Sequence, residues 1–128
     1  MKSSWMKLDL GLLPLKLALC TDDERYQRFM SAIGVGQSTV WLQGGCDATT
    51  HQLQSPDNHL SIVVCVDAGH TLNPIEIACL IVHEAVHVWQ FYVDYYGEDK
   101  PGSEHEAYSI QIITQRLMES YVEQKFKE

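Results

Sequence analysis

Residues Ile81–Gln90 read IVHEAVHVWQ, a run in which His83, Glu84 and His87 interrupt otherwise apolar sequence. The flanks mark the run as part of a helix. Asn73 is a good N-cap, Pro74 suits the first helical position, and Glu76 follows where its side chain can close a capping box. The helix is expected to continue to about Tyr96 and to stop at Gly97. In that register positions i and i+4 lie one above the other, so His83 and His87 aim their imidazoles at one point. Neutral imidazole is a good zinc ligand. Glu84 stands beside such a metal rather than on it, placed to take a proton from a bound water. Without a metal, two imidazoles and a carboxylate among Ile81, Val82, Val86 and Val88 are awkward company, costing on the order of a few kcal/mol if left unpaired.

A catalytic zinc usually takes three protein ligands and keeps its fourth position for water. Candidates for the third follow the polar loop GEDKPGS, in Pro101–Gln111, PGSEHEAYSIQ. Ser103 can cap a last helix from about Glu104 to Lys125, with Ala107, Ile110, Ile113, Leu117 and Tyr121 at helical spacing. Folded back against the first helix, its opening turn would come near the metal. Glu104, Ala107, Tyr108 and Gln111 share one side of it, and the small Ala107 would allow close approach of the two helices. Helical geometry therefore favours Glu104 as ligand over Glu106 and His105, which point elsewhere. The competing reading for all three is a solvated acidic first turn, favoured by the helix dipole.

Upstream, Leu15–Cys20 (LKLALC) alternates at period two and reads as a strand. Thr21, with Glu24, is expected to cap a helix whose apolar face is Tyr26, Phe29, Met30 and Ile33 and which stops at Gly34. Three strand-like runs follow, Ser38–Gln43, Asp47–Gln54 and His59–Asp67, joined by short turns that favour an antiparallel meander. The fold class expected is α+β: a small, mostly antiparallel sheet backed by an N-terminal helix, the helix carrying His83 and His87, and a C-terminal helix. Trp41 and Trp89 read as core aromatics rather than substrate contacts. His70, in the loop before the long helix, reads as a surface or capping residue.

The chain of 128 residues is one domain, residues 1–128, with 45% apolar residues. Its net charge of −8 disfavours nucleic acid and anionic lipid, which need clustered Lys and Arg. Cys20, Cys46, Cys65 and Cys79 form no C-x-x-C pair and are expected to be reduced, with all but Cys46 in apolar surroundings and buried. The opening MKSSWMKLDLGLLPLKLALC loosely follows a lipoprotein signal, but Asp9, Pro14, Lys16 and the bulky Leu19 argue against cleavage. No run reaches the 18 apolar residues of a membrane span, so a cytoplasmic protein without a membrane partner is expected.

His83-Glu84-Ala85-Val86-His87 is the H-E-x-x-H arrangement of zinc metallopeptidases. Together with Glu104-His105-Glu106-Ala107-Tyr108, where a glutamate stands three residues before a small residue, the chain resembles the gluzincins, the thermolysin-like zinc peptidases. The resemblance covers about residues 75–115. It implies a zincin-like fold and a minimal catalytic domain of a size found among small bacterial or phage-encoded proteins. It also implies Zn2+ held by His83, His87 and Glu104, with Glu84 as general base on a peptide or protein substrate. Tyr108 departs from the acidic residue that many members carry there, and is a candidate to act on substrate through its hydroxyl. Tyr108, His105 and His70 are the candidate oxyanion donors. Extended peptide is expected to pair with a sheet edge between Ser38 and Asp67. The alternatives are a zinc-binding interaction module with little or no turnover, and a metal-free helical interaction protein.

Overall fold

Leu60–Val66 (β3) is buried at every position, as befits a strand with neighbours on both sides and helices on both faces. Lys16–Cys20 (β1) pairs with it in parallel, Lys16 opposite Ser61 and Cys20 opposite Cys65. Ala48–Gln54 (β2) pairs on the other side in antiparallel, Ala48 opposite Val66 and Gln54 opposite Leu60. The sheet order is thus β1-β3-β2, with β2 at an edge. The computed structural model describes residues 4–11, 13–35, 40–54, 60–67, 73–97 and 102–126.

The mostly antiparallel meander expected from the sequence is corrected here to a mixed sheet. The helix Asp23–Ala32 (α1) crosses over one face after β1, and the β2–β3 hairpin then returns β3 alongside β1 in the same direction. Crossover through a helix gives parallel neighbours, whereas a tight hairpin gives antiparallel ones. The described part of the first expected strand, residues 40–43, carries no strand; it crosses beneath β2, where Trp41 O accepts a hydrogen bond from His51 Nε2 at 2.9 Å.

Strand alternation divides the core between two faces. Ala18, Cys20, Val63 and Cys65 meet Tyr26, Phe29 and Met30 of α1 on one face, with Trp41 packed at its margin. Leu17, Leu19, Leu60, Ile62, Val64 and Val66 meet the long helices Pro74–Tyr96 (α2) and Ser103–Phe126 (α3) on the other. The α1 N-cap is Asp22, one residue later than expected, with its side chain accepting from Arg25 N at 2.8 Å. Thr21 is drawn off instead by the far end of α3, where its hydroxyl donates to Gln124 Oε1 at 2.9 Å and Gln124 Nε2 donates to Leu19 O at 2.8 Å.

The long helix forms as its sequence dictates. Asn73 Oδ1 accepts from Glu76 N at 2.9 Å, Glu76 Oε1 accepts from Asn73 N at 3.0 Å, and Gly97 ends it in the left-handed region at φ 69°. In α3 the buried stripe is Ser109, Ile113, Leu117, Ser120 and Gln124, so Ala107 is exposed and does not mediate the helix contact. Cys20 and Cys65 are buried and Cys46 is exposed, as expected, but Cys79 is exposed on α2 rather than buried; all four are free thiols. Among the described residues, no helix is long and apolar enough to cross a membrane.

Candidate metal centre

The sheet fixes which side of α2 is free. Ile77, Ile81, Ala85, Val88, Trp89 and Tyr92 are buried against β3 and α3. His83 is therefore left on the exposed side, with His87 half-buried beside it. Their Nε2 atoms stand 3.2 Å apart, with ring centroids at 4.8 Å and the rings nearly perpendicular. Two nitrogens bound at about 2.1 Å to a tetrahedral zinc lie about 3.4 Å apart, so the pair already holds nearly the bite of that ion.

Gln90, one turn below His87, sets its tautomer. Gln90 Oε1 lies 3.0 Å from His87 Nδ1 and, as a carbonyl oxygen, can only accept, which places the proton on Nδ1. His87 Nε2 then carries its lone pair towards His83. This is the orienting hydrogen bond that metal-bound imidazoles usually make through their second nitrogen. Phe91 stacks on the outer face of His87 at a centroid distance of 6.4 Å.

Glu84 points elsewhere. It lies about 100° round the helix from His83, on the flank that meets the sheet, and is 5% exposed. Among the described residues it is the one buried side chain that bears a formal charge. Thr50, at the middle of β2, donates its hydroxyl to Glu84 Oε1 at 2.6 Å, and Oε2 makes no hydrogen bond among the described residues. One neutral donor offsets only part of the cost of placing a carboxylate there.

The opening turn of α3 docks on a different side of α2 from the histidine pair. Glu106 Oε2 accepts from the Trp89 indole N–H at 3.0 Å, and His105 meets the Trp89 ring edge-on at 5.4 Å. Trp89 lies about 200° round the helix from His87, so this contact holds Glu106 away from the imidazoles. Glu104 is exposed at the start of α3, on the side opposite its buried stripe. Tyr108 is 66% exposed. With His105, Leu10, Tyr92 and Gln111 it lines a cleft of about 500 Å3 against the N-terminal segment. His70 lies outside the described residues.

The two histidines thus fit as two of the three protein ligands of a zinc, with a carboxylate on the neighbouring flank. Among the described residues no third His, Cys, Asp or Glu joins them. Thr50 and Gln90 escaped sequence reading for different reasons. Thr50 lies 34 residues from Glu84 and becomes its neighbour only through the sheet. Gln90 is legible from spacing, since i and i+3 share a helix face, once His87 is suspected as a ligand. Comparison with family models, with curated proteins and with solved structures finds no match.

Proposed function

We propose that the chain is a zinc-dependent metallopeptidase of zincin-like, gluzincin-type construction, acting on peptide or protein substrates. The observation that carries this reading is the His83–His87 pair, with Nε2 atoms 3.2 Å apart beside a buried Glu84. His83 and His87 would hold the ion; Glu104 is the third ligand that the gluzincin resemblance offers, though it stands exposed and apart from the pair, so it would have to come to the ion from α3. When bound, zinc would supply Lewis-acid chemistry, lowering the pKa of water towards about 7 and polarising a carbonyl. Glu84 acts as general base through Oε2, which makes no hydrogen bond among the described residues, and returns the proton to the leaving amine. Gln90 keeps the lone pair of His87 turned towards the ion. Apolar packing of Ile81, Ala85 and Val88 fixes the helix register from which all three side chains project.

The test begins with metal content after purification without added zinc, followed by hydrolysis of a diverse peptide library by the zinc-loaded chain. One equivalent of zinc and cleavage that is lost in Glu84→Gln, with zinc retained, is the expected result. Zinc well below one equivalent, with no stabilisation on adding it, overturns the reading.

A second reading is a zinc-binding interaction module without turnover. It is favoured by the docking of Glu106 on Trp89, which leaves the opening turn of α3 on another side of α2 from the histidines. One equivalent of zinc with no cleavage across the library selects it.

A further inference from the structure

We propose that Thr50 is the positioning residue for Glu84, joining the β2 edge of the sheet to the general base; this rests on the hydrolase reading above. Glu84 is a carboxylate on the sheet-facing flank of α2, where an apolar residue would pack at lower cost. Its hydrogen-bond partner comes from β2, an edge strand, through the Thr50 hydroxyl at 2.6 Å. Among the described residues the contact engages Oε1 alone, so Oε2 is the oxygen that would meet a reacting water.

The backbone of the same residue faces outward. Asp67 N donates to Asp47 O at 2.9 Å, one step beyond the Ala48–Val66 partners, so Asp47 and Asp67 form a hydrogen-bonded pair. Such pairs alternate along an antiparallel ladder, which makes Thr50 and Val64 a non-hydrogen-bonded pair. The N–H and C=O of Thr50 therefore point away from β3, towards the side of β2 on which no strand pairs among the described residues. An extended peptide pairing there would bond to the backbone of the residue whose side chain holds Glu84. Thr50 thus sets the distance between the bound chain and the base, the kind of placement in which small displacements cost large factors in rate.

The test uses the full chain with Thr50→Val, which keeps the shape and removes the donor, and Thr50→Ser, which restores it. In the zinc-free protein, the carboxyl carbon of Glu84, assigned by its loss in Glu84→Gln, should shift in Thr50→Val and stay near the wild-type position in Thr50→Ser. In the zinc-loaded protein, Thr50→Val should lower kcat at least tenfold on a cleaved peptide with KM within about twofold, and Thr50→Ser should recover most of it. Zinc content should be the same in all. An unchanged carboxyl signal or kcat in Thr50→Val overturns the assignment, as does a Thr50→Ser variant as impaired as Thr50→Val, which would mark a packing role. A wild type that holds zinc and cleaves nothing overturns the hydrolase reading and the positioning role with it. That failure is distinguishable because it appears in the wild type, while the carboxyl signal still reports the contact.

Discussion

His83 and His87 hold their Nε2 atoms 3.2 Å apart across one turn of α2, a separation that a shared proton or a shared cation can bridge. With the proton of His87 on Nδ1, turned to Gln90, a lone pair faces His83. Zinc binding should therefore depend on both rings and on Gln90. His83→Ala or His87→Ala should weaken zinc binding at least about a hundredfold, and Gln90→Leu about tenfold, the lower end of what outer-shell partners contribute. Isothermal titration with zinc measures all three. On the proposed reading zinc binds the folded chain and not the unfolded one, so saturation near 100 times the dissociation constant should also stabilise the wild type by about 2.7 kcal/mol.

Glu104 and Glu106 should separate cleanly. Glu106 accepts the Trp89 indole N–H at 3.0 Å, so Glu106→Ala should cost about 1 kcal/mol of stability in the zinc-free protein and alter Trp89 fluorescence. Glu104 is exposed, and Glu104→Ala should leave zinc-free stability within about 0.5 kcal/mol. If the first turn of α3 supplies the third ligand, Glu104→Ala weakens zinc binding. Equal affinities in Glu104→Ala and wild type would remove Glu104 from the site.

What the sequence disclosed about this molecule was local. Asn73, Pro74, Glu76 and Gly97 fixed the ends of α2 correctly, and that register alone places His83 and His87 together. These signals act within four residues of where they are read. Thr21 misled as a cap because its hydroxyl is claimed by Gln124, 103 residues away. The parallel β1–β3 pairing arises because β3 inserts between β1 and β2, an order that period-two alternation does not encode. Helical geometry favours Glu104 over Glu106 as a ligand, but it does not show that Glu106 is turned onto Trp89. The expected apolar stripe of α3 is buried at Ile113 and Leu117, with Ile110 and Tyr121 packed beside it, but at its start Ser109 rather than Ala107 lies inward.

The Gln124 tether should carry much of the stability that docks α3. Its amide donates to Leu19 O at 2.8 Å and Ser120 Oγ at 2.9 Å, and its carbonyl accepts from Thr21. Gln124→Ala strips partners from buried groups and should cost about 2–3 kcal/mol by urea unfolding. Ser61 makes the converse case. Its Oγ is buried with no partner among the described residues, so Ser61→Ala should be neutral or slightly stabilising.

Stability should fall in alkaline solution through Cys65. Burial, then the thiol of Cys20 on the adjacent strand, pushes the Cys65 thiol far above its ordinary value of 9.0, with Asp23 and Glu84 adding in the same direction. The folded chain therefore keeps this proton at pH values where the unfolded chain releases it. A group whose folded value is raised contributes stability that is fully present below the unfolded value and declines above it. From about pH 8.5 upward the unfolding free energy should drop with a slope approaching about 1.4 kcal/mol per pH unit. Tyr121, raised from 10.0 by burial, adds the same sign only near and above pH 10. Urea unfolding under reducing conditions between pH 7 and 9.5 should show the decline in wild type and a shallower one in Cys65→Ala. Parallel curves for the two proteins would mean that Cys65 ionises in the folded chain, and that the space between β1 and β3 admits a thiolate.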